Sequence, residues 1–160
     1  MKLLAYEVDK RSFLGIFNED ETWVYPISAA GMEYRSMKDL IREAGPSEME
    51  MLDYISKKAP GDVTGAAPVE EIKIVSPIPE PDQDIICLGI NYMDHAAESA
   101  RFQKEEFARP EKAIYFSKRV NRTNDPDGII PAHKNLTNQL DYEAELAVII
   151  KKDAKDVKPE

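Results

Sequence analysis

At 160 residues the chain has room for one ordinary domain or two small ones, and its 42% hydrophobic content is enough for a core. Thirty acidic residues against 21 basic ones leave a formal net charge of -9, which argues against a nucleic-acid binder, since that needs a basic face for phosphate. No apolar run approaches a membrane span or a signal-peptide core, so the expected setting is reducing and cytoplasmic, with no membrane partner. Cys87 is the only cysteine and sits in the apolar run "IICLGI", where a buried, inert thiol is expected.

The first quarter reads as strands. "KLLAYEV" (2–8), "SFLGIF" (12–17) and "TWVYPI" (22–27) are short and rich in β-branched or aromatic residues, and the polar "DKR" and "NEDE" separate them as turns would. "SMKDLIREAG" predicts a helix capped by Ser36 and stopped at Gly45. "SEMEMLDYISKKAPG" predicts a second, begun at Ser47, with Met51, Leu52 and Ile55 on one face and Pro60-Gly61 at its end. "VEEIKIVSPI" (69–78) alternates like a strand. Three prolines in "PIPEPDQD" then make a stiff connector, which sets the expected organisation: a small N-terminal domain over 1–76, a Pro-rich connector over 77–82 and a second domain over 83–160. Beyond it, "IICLG" (85–89) predicts a buried strand and the stretch from about Tyr92 a helix. "AIYFSK" (113–118) is another strand, and "DYEAELAVIIKK" (141–152) a last one entering the core through "AVII".

Three constellations could carry chemistry. On a strand, Asp141, Glu143 and Glu145 share one face, where like charges repel. A hard divalent cation would relieve them, and so would a wet edge. His95 and Glu98, three apart on a predicted helix, are neighbours: a carboxylate beside an imidazole fixes its tautomer and can form an acid–base pair, or else a solvated polar pair. Lys118 leaves an apolar strand and can reach an anion or simply water. Residues 99–122 hold seven bases and three acids, a local +4 in an acidic chain, which fits a small anionic substrate.

The order of these motifs is more specific than any one of them. "LGINYMDHAAE", "PEKAIYFSKRVN" and "DYEAELAVIIKKDAKDV" together resemble the fumarylacetoacetate hydrolase family, over roughly residues 69–160. The resemblance implies an α+β, mainly β protein: a small N-terminal α+β domain followed by the first part of the family's mixed β-roll. It implies Glu143 and Glu145 as ligands of Mg²⁺ or Mn²⁺, with Asp141 supporting them. His95 and Glu98 become the catalytic acid–base dyad, and Lys118 and Tyr92 substrate contacts.

The implied activity is C–C bond hydrolysis of acylpyruvate or β-diketo acids, with isomerisation or decarboxylation of 2-oxo diacids as the alternative, in an assembly that is a homodimer when complete. The family's third metal ligand, an aspartate, is expected downstream of Glu160. The expectation is therefore an N-terminal portion with little or no activity. Two further readings stay open: a non-catalytic remnant that binds a partner, and a module in which carboxylates bind a metal only structurally.

Overall fold

The structure, a computed structural model, describes residues 1–89, 91, 92 and 112–159. They form two compact units, one of Met1–Pro79 with Asn124–Glu160 and one of Glu80–Thr123. Among the described residues the architecture is α+β and mainly β, as expected, with a five-stranded and a two-stranded sheet and two α-helices.

The N-terminal sheet starts as the meander the sequence predicts. Strands β1 (Leu3–Val8) and β2 (Arg11–Phe17) pair antiparallel from Leu3↔Ile16 to Val8↔Arg11. Asp9 and Lys10 turn the hairpin with φ of 49° and 64°, the left-handed pair that matches strand twist, here made without glycine. Strand β3 (Trp23–Pro26) pairs with β2, and Asn18 shapes the turn by accepting the Trp23 N–H through its side chain at 2.9 Å. Strands β4 (Ala67–Pro68) and β5 (Lys73–Val75) return after the helices and take the two edges, giving the order β4-β3-β2-β1-β5. The strand expected over 69–78 is thus only Lys73–Val75, because a 3₁₀ turn at Val69–Glu71 precedes it.

Both predicted helices form. In α1 (Met37–Glu43) the Ser36 side chain accepts the Asp39 N–H at 3.1 Å, as an N-cap should. The junction differs from expectation. Ala44, not Gly45, ends α1, and α2 (Pro46–Ser56) begins before Ser47. Gly45 is its N-cap, Pro46 is pre-set for the first turn, and the Glu48 carboxylate accepts the Gly45 N–H at 2.8 Å. Leu52 and Ile55 face the core, whereas Met51 lies on the exposed flank.

One face of the sheet carries Ile16 and Tyr25 into the main core with Met37, Leu40, Leu52, Ile55 and Val63. The Tyr25 hydroxyl donates to the Lys58 carbonyl at 2.8 Å, so its burial strands no polar atom. The other face gathers Leu4, Tyr6 and Val24. Gly15 lies between them, and a Cβ there would fall 2.8 Å from Val24 Cγ1 and 2.9 Å from Tyr6 Cε1.

The second unit contains an antiparallel ribbon, β6 (Ile85–Leu88) with β7 (Tyr115–Lys118), paired from Ile85↔Lys118 to Leu88↔Tyr115. The strands were expected, but burial of the first was not met. Ile86 is 66% exposed, and Cys87 is only partly buried, because a two-stranded ribbon covers neither of its own faces. The strand expected at 141–152 is also absent: these residues have neither helix nor strand, and Leu146, Val148, Ile149 and Ile150 are exposed. Backbone groups in an extended run need a paired neighbour to make a strand, and no strand of the described residues is paired along it.

Candidate functional site

Within the second unit, strand β7 delivers Lys118 at its end. Alternation along the strand sets Lys118 on the same side as Phe116, and its Nζ lies 5.8 Å from the centre of that ring. The aromatic face holds the charged end at the ribbon's tip. Tyr92 follows β6 by four residues and is exposed. The ribbon is lengthened by a bond from the Gly89 N–H to the Ile114 carbonyl at 2.9 Å. His95 and Glu98, with most of the helix expected around them and residues 99–111 of the basic stretch, lie outside the described residues.

Asp141, Glu143 and Glu145 belong to the first unit and are exposed in its irregular stretch. Asp141 turns its carboxylate back on the chain and accepts the Tyr142 N–H at 2.8 Å. Glu143 and Glu145 offer hard carboxylate oxygens that suit Mg²⁺ or Mn²⁺ in kind. Among the described residues, however, no group of three or more His, Cys, Asp or Glu side chains comes together as a metal site.

Two contacts of this unit were not anticipated. Asp125 Oδ1 accepts the Ser76 N–H at 2.9 Å, and its Oδ2 lies 3.5 Å from Lys73 Nζ. Lys151 donates from Nζ to the Ala44 carbonyl at the end of α1. The "DPDG" turn hints at the first only as a turn, and nothing local in the sequence points to the second. Among the described residues, a large electrostatic shift lies where α1 meets α2. The Tyr34 hydroxyl donates to Glu48 Oε1 at 2.5 Å, which pushes the phenol up to about 12 and, together with the Gly45 N–H, holds the Glu48 carboxyl below its usual range. No described helix is long and apolar enough to cross a membrane.

Comparison with known proteins points back to the second half. Residues 84–160 match the model of the fumarylacetoacetate (FAA) hydrolase C-terminal family. Over 162 aligned residues, 95% of this chain and 52% of the relative, the chain is 38% identical to oxaloacetate tautomerase YisK of Bacillus subtilis. It is 27% identical over 167 residues to protein SERP0556 of Staphylococcus epidermidis, covering 98% of this chain and 53% of that one. A shorter match of 91 residues, 43% identical, links 56% of the chain to 27% of a fumarylacetoacetate hydrolase domain-containing protein 2 homolog of Dictyostelium discoideum. The chain spans about half the length of the first two relatives.

Proposed function

We propose, for a chain that belongs to the fumarylacetoacetate hydrolase family, that its protein is an isomerase of small 2-oxo acids, interconverting the keto and enol forms of a substrate such as oxaloacetate. The observation that carries this reading is the 38% identity to an oxaloacetate tautomerase across 95% of the chain. It moves weight from the hydrolysis that led the sequence reading to the isomerase alternative.

In this reading His95, oriented by Glu98, takes a proton from the carbon beside the keto group, and the keto oxygen gains one. The C–H bond breaks, its electron pair forms the C=C bond, the C=O π pair passes to oxygen and an O–H bond forms; ketonisation runs the same steps backwards. Lys118 and Tyr92 hold the anionic substrate. Glu143 and Glu145 contribute to holding a Mg²⁺ or Mn²⁺ ion, which when bound supplies Lewis-acid polarisation of the substrate oxygens. The family's mixed β-roll from residue 83 onward, a homodimer and a cytoplasmic location belong to the same proposal.

Hydrolysis of acylpyruvates remains the second reading, favoured by the 43% identical match to a hydrolase-domain protein. There His95 would instead activate water against the remote carbonyl. The test is a panel of oxaloacetate and acylpyruvates with Mg²⁺ or Mn²⁺. Ultraviolet absorbance follows the enol, and CO₂ release separates decarboxylation. Accelerated keto–enol exchange, lost by at least about a hundredfold in His95→Ala, supports the isomerase. Cleavage of acylpyruvate without that exchange overturns it in favour of hydrolysis, and no turnover of any substrate by the full-length protein overturns both enzymatic readings.

A further inference from the structure

We infer that the N-terminal sheet and helices are the frame that holds the stretch bearing Glu143 and Glu145, gripping it on both sides through Asp125 and Lys151. The contacts lie within one compact unit. On the near side, Asp125 meets the sheet where β5 ends. Its Oδ1 accepts the N–H of Ser76, a residue 7% exposed, and its Oδ2 faces Lys73, which also lies 3.5 Å from Glu7 on β1. On the far side, Lys151 reaches the carbonyl that closes α1, beside the Tyr34–Glu48–Gly45 network, and its charge helps to keep Glu48 ionised.

The two grips differ in kind. The ion pair with Lys73 is solvated, with the lysine side chain 61% exposed, and such pairs contribute little. The bond to the amide of a residue only 7% exposed matters more, because removing the acceptor from a buried donor costs more than losing a solvated ion pair. At the far grip a cation meets the carbonyl end of a helix, where positive charge is favoured. Between the grips, residues 141–150 have neither helix nor strand. The glutamates' role as ligands rests on the functional reading above, but the grips do not.

Two measurements on the whole chain test this without any substrate, so their failure is distinct from failure of the enzymatic reading. The first is hydrogen exchange at the Ser76 amide. Asp125→Ala should speed it by about tenfold, while Asp125→Asn, which keeps an acceptor, should change it by less than about fivefold. Unchanged exchange in a folded Asp125→Ala protein overturns the near grip. The second is the distance distribution between spin labels at positions 51 and 148, both exposed, in a Cys87→Ser background. It should be narrow, should broaden in Lys151→Met and should broaden further in Asp125→Ala/Lys151→Met. Lys151→Met alone decides the far grip if Asp125→Ala fails to fold, and an unbroadened distribution in it overturns that grip.

Discussion

Ile16 and Ile149 are the same residue type, each within a short apolar run, yet the first is fully buried and the second is 53% exposed. The difference lies in their surroundings. Ile16 sits on a strand paired on both sides, with two helices over one face, so its side chain meets closed structure in every direction. Ile149 lies in a stretch with no ladder at all. An apolar run becomes core only when something satisfies its backbone and covers its side chains.

That contrast can be broken or sharpened by substitution. The largest effect is expected from Leu52→Ala, which empties a fully buried site on α2 and should cost about 2–5 kcal/mol. Ile149→Ala is its control and should stay within about 0.5 kcal/mol. Urea denaturation compares them, and equal costs would collapse the distinction between the regions. Gly15→Ala comes next. The added carbon meets Val24, Tyr6 and the Tyr25 carbonyl within 3.0 Å, so about 1–3 kcal/mol of overpacking is expected. Gly61→Ala, where the space is open, should show no such loss in the same titration.

Ser36→Ala removes the α1 cap and should cost about 1 kcal/mol, read as a lower Tm. The smallest expected effect is a pH dependence. Glu48 is held below its usual range, chiefly by the Tyr34 hydroxyl, so its contribution is fully present above the ordinary value of 4.5 and is lost as pH falls through the depressed one. Tyr34 is raised, so its contribution is present below pH 10 and is lost as pH rises through about 12. Tyr34→Phe should flatten both limbs of a Tm–pH curve, and unchanged limbs would mean that the pair contributes nothing.

The N-terminal unit was legible because its signals are local. Short runs rich in β-branched and aromatic residues, set off by polar turns, gave β1 to β3, and Ser36 announced α1. The start of α2 was misplaced because its cap has no side chain. The Glu48 carboxylate does the capping from inside the helix, so a serine one step later looked like the better start. Burial in the second half was misread because a run such as "IICL" reports strand preference, whereas coverage depends on elements elsewhere in the chain. The Glu143–Glu145 and His95–Glu98 spacings were visible as chemistry. The Asp125 and Lys151 contacts were not, since they join residues 49 and 107 positions apart.

The order of strands in the sheet also carries a consequence for synthesis. β1, β2 and β3 are neighbours in sequence and can zip together as soon as about 26 residues are free of the ribosome. The outer partner of β1 is β5, and Ala5 meets Val75 only after both helices have been made. During that interval one flank of β1 stays open, with its N–H and C=O groups available to any passing strand. The interval ends when roughly fifty further residues have emerged, which takes several seconds at ordinary rates of translation. The nascent chain is therefore open to wrong pairing along β1 during that interval, before the residues of the candidate site are made.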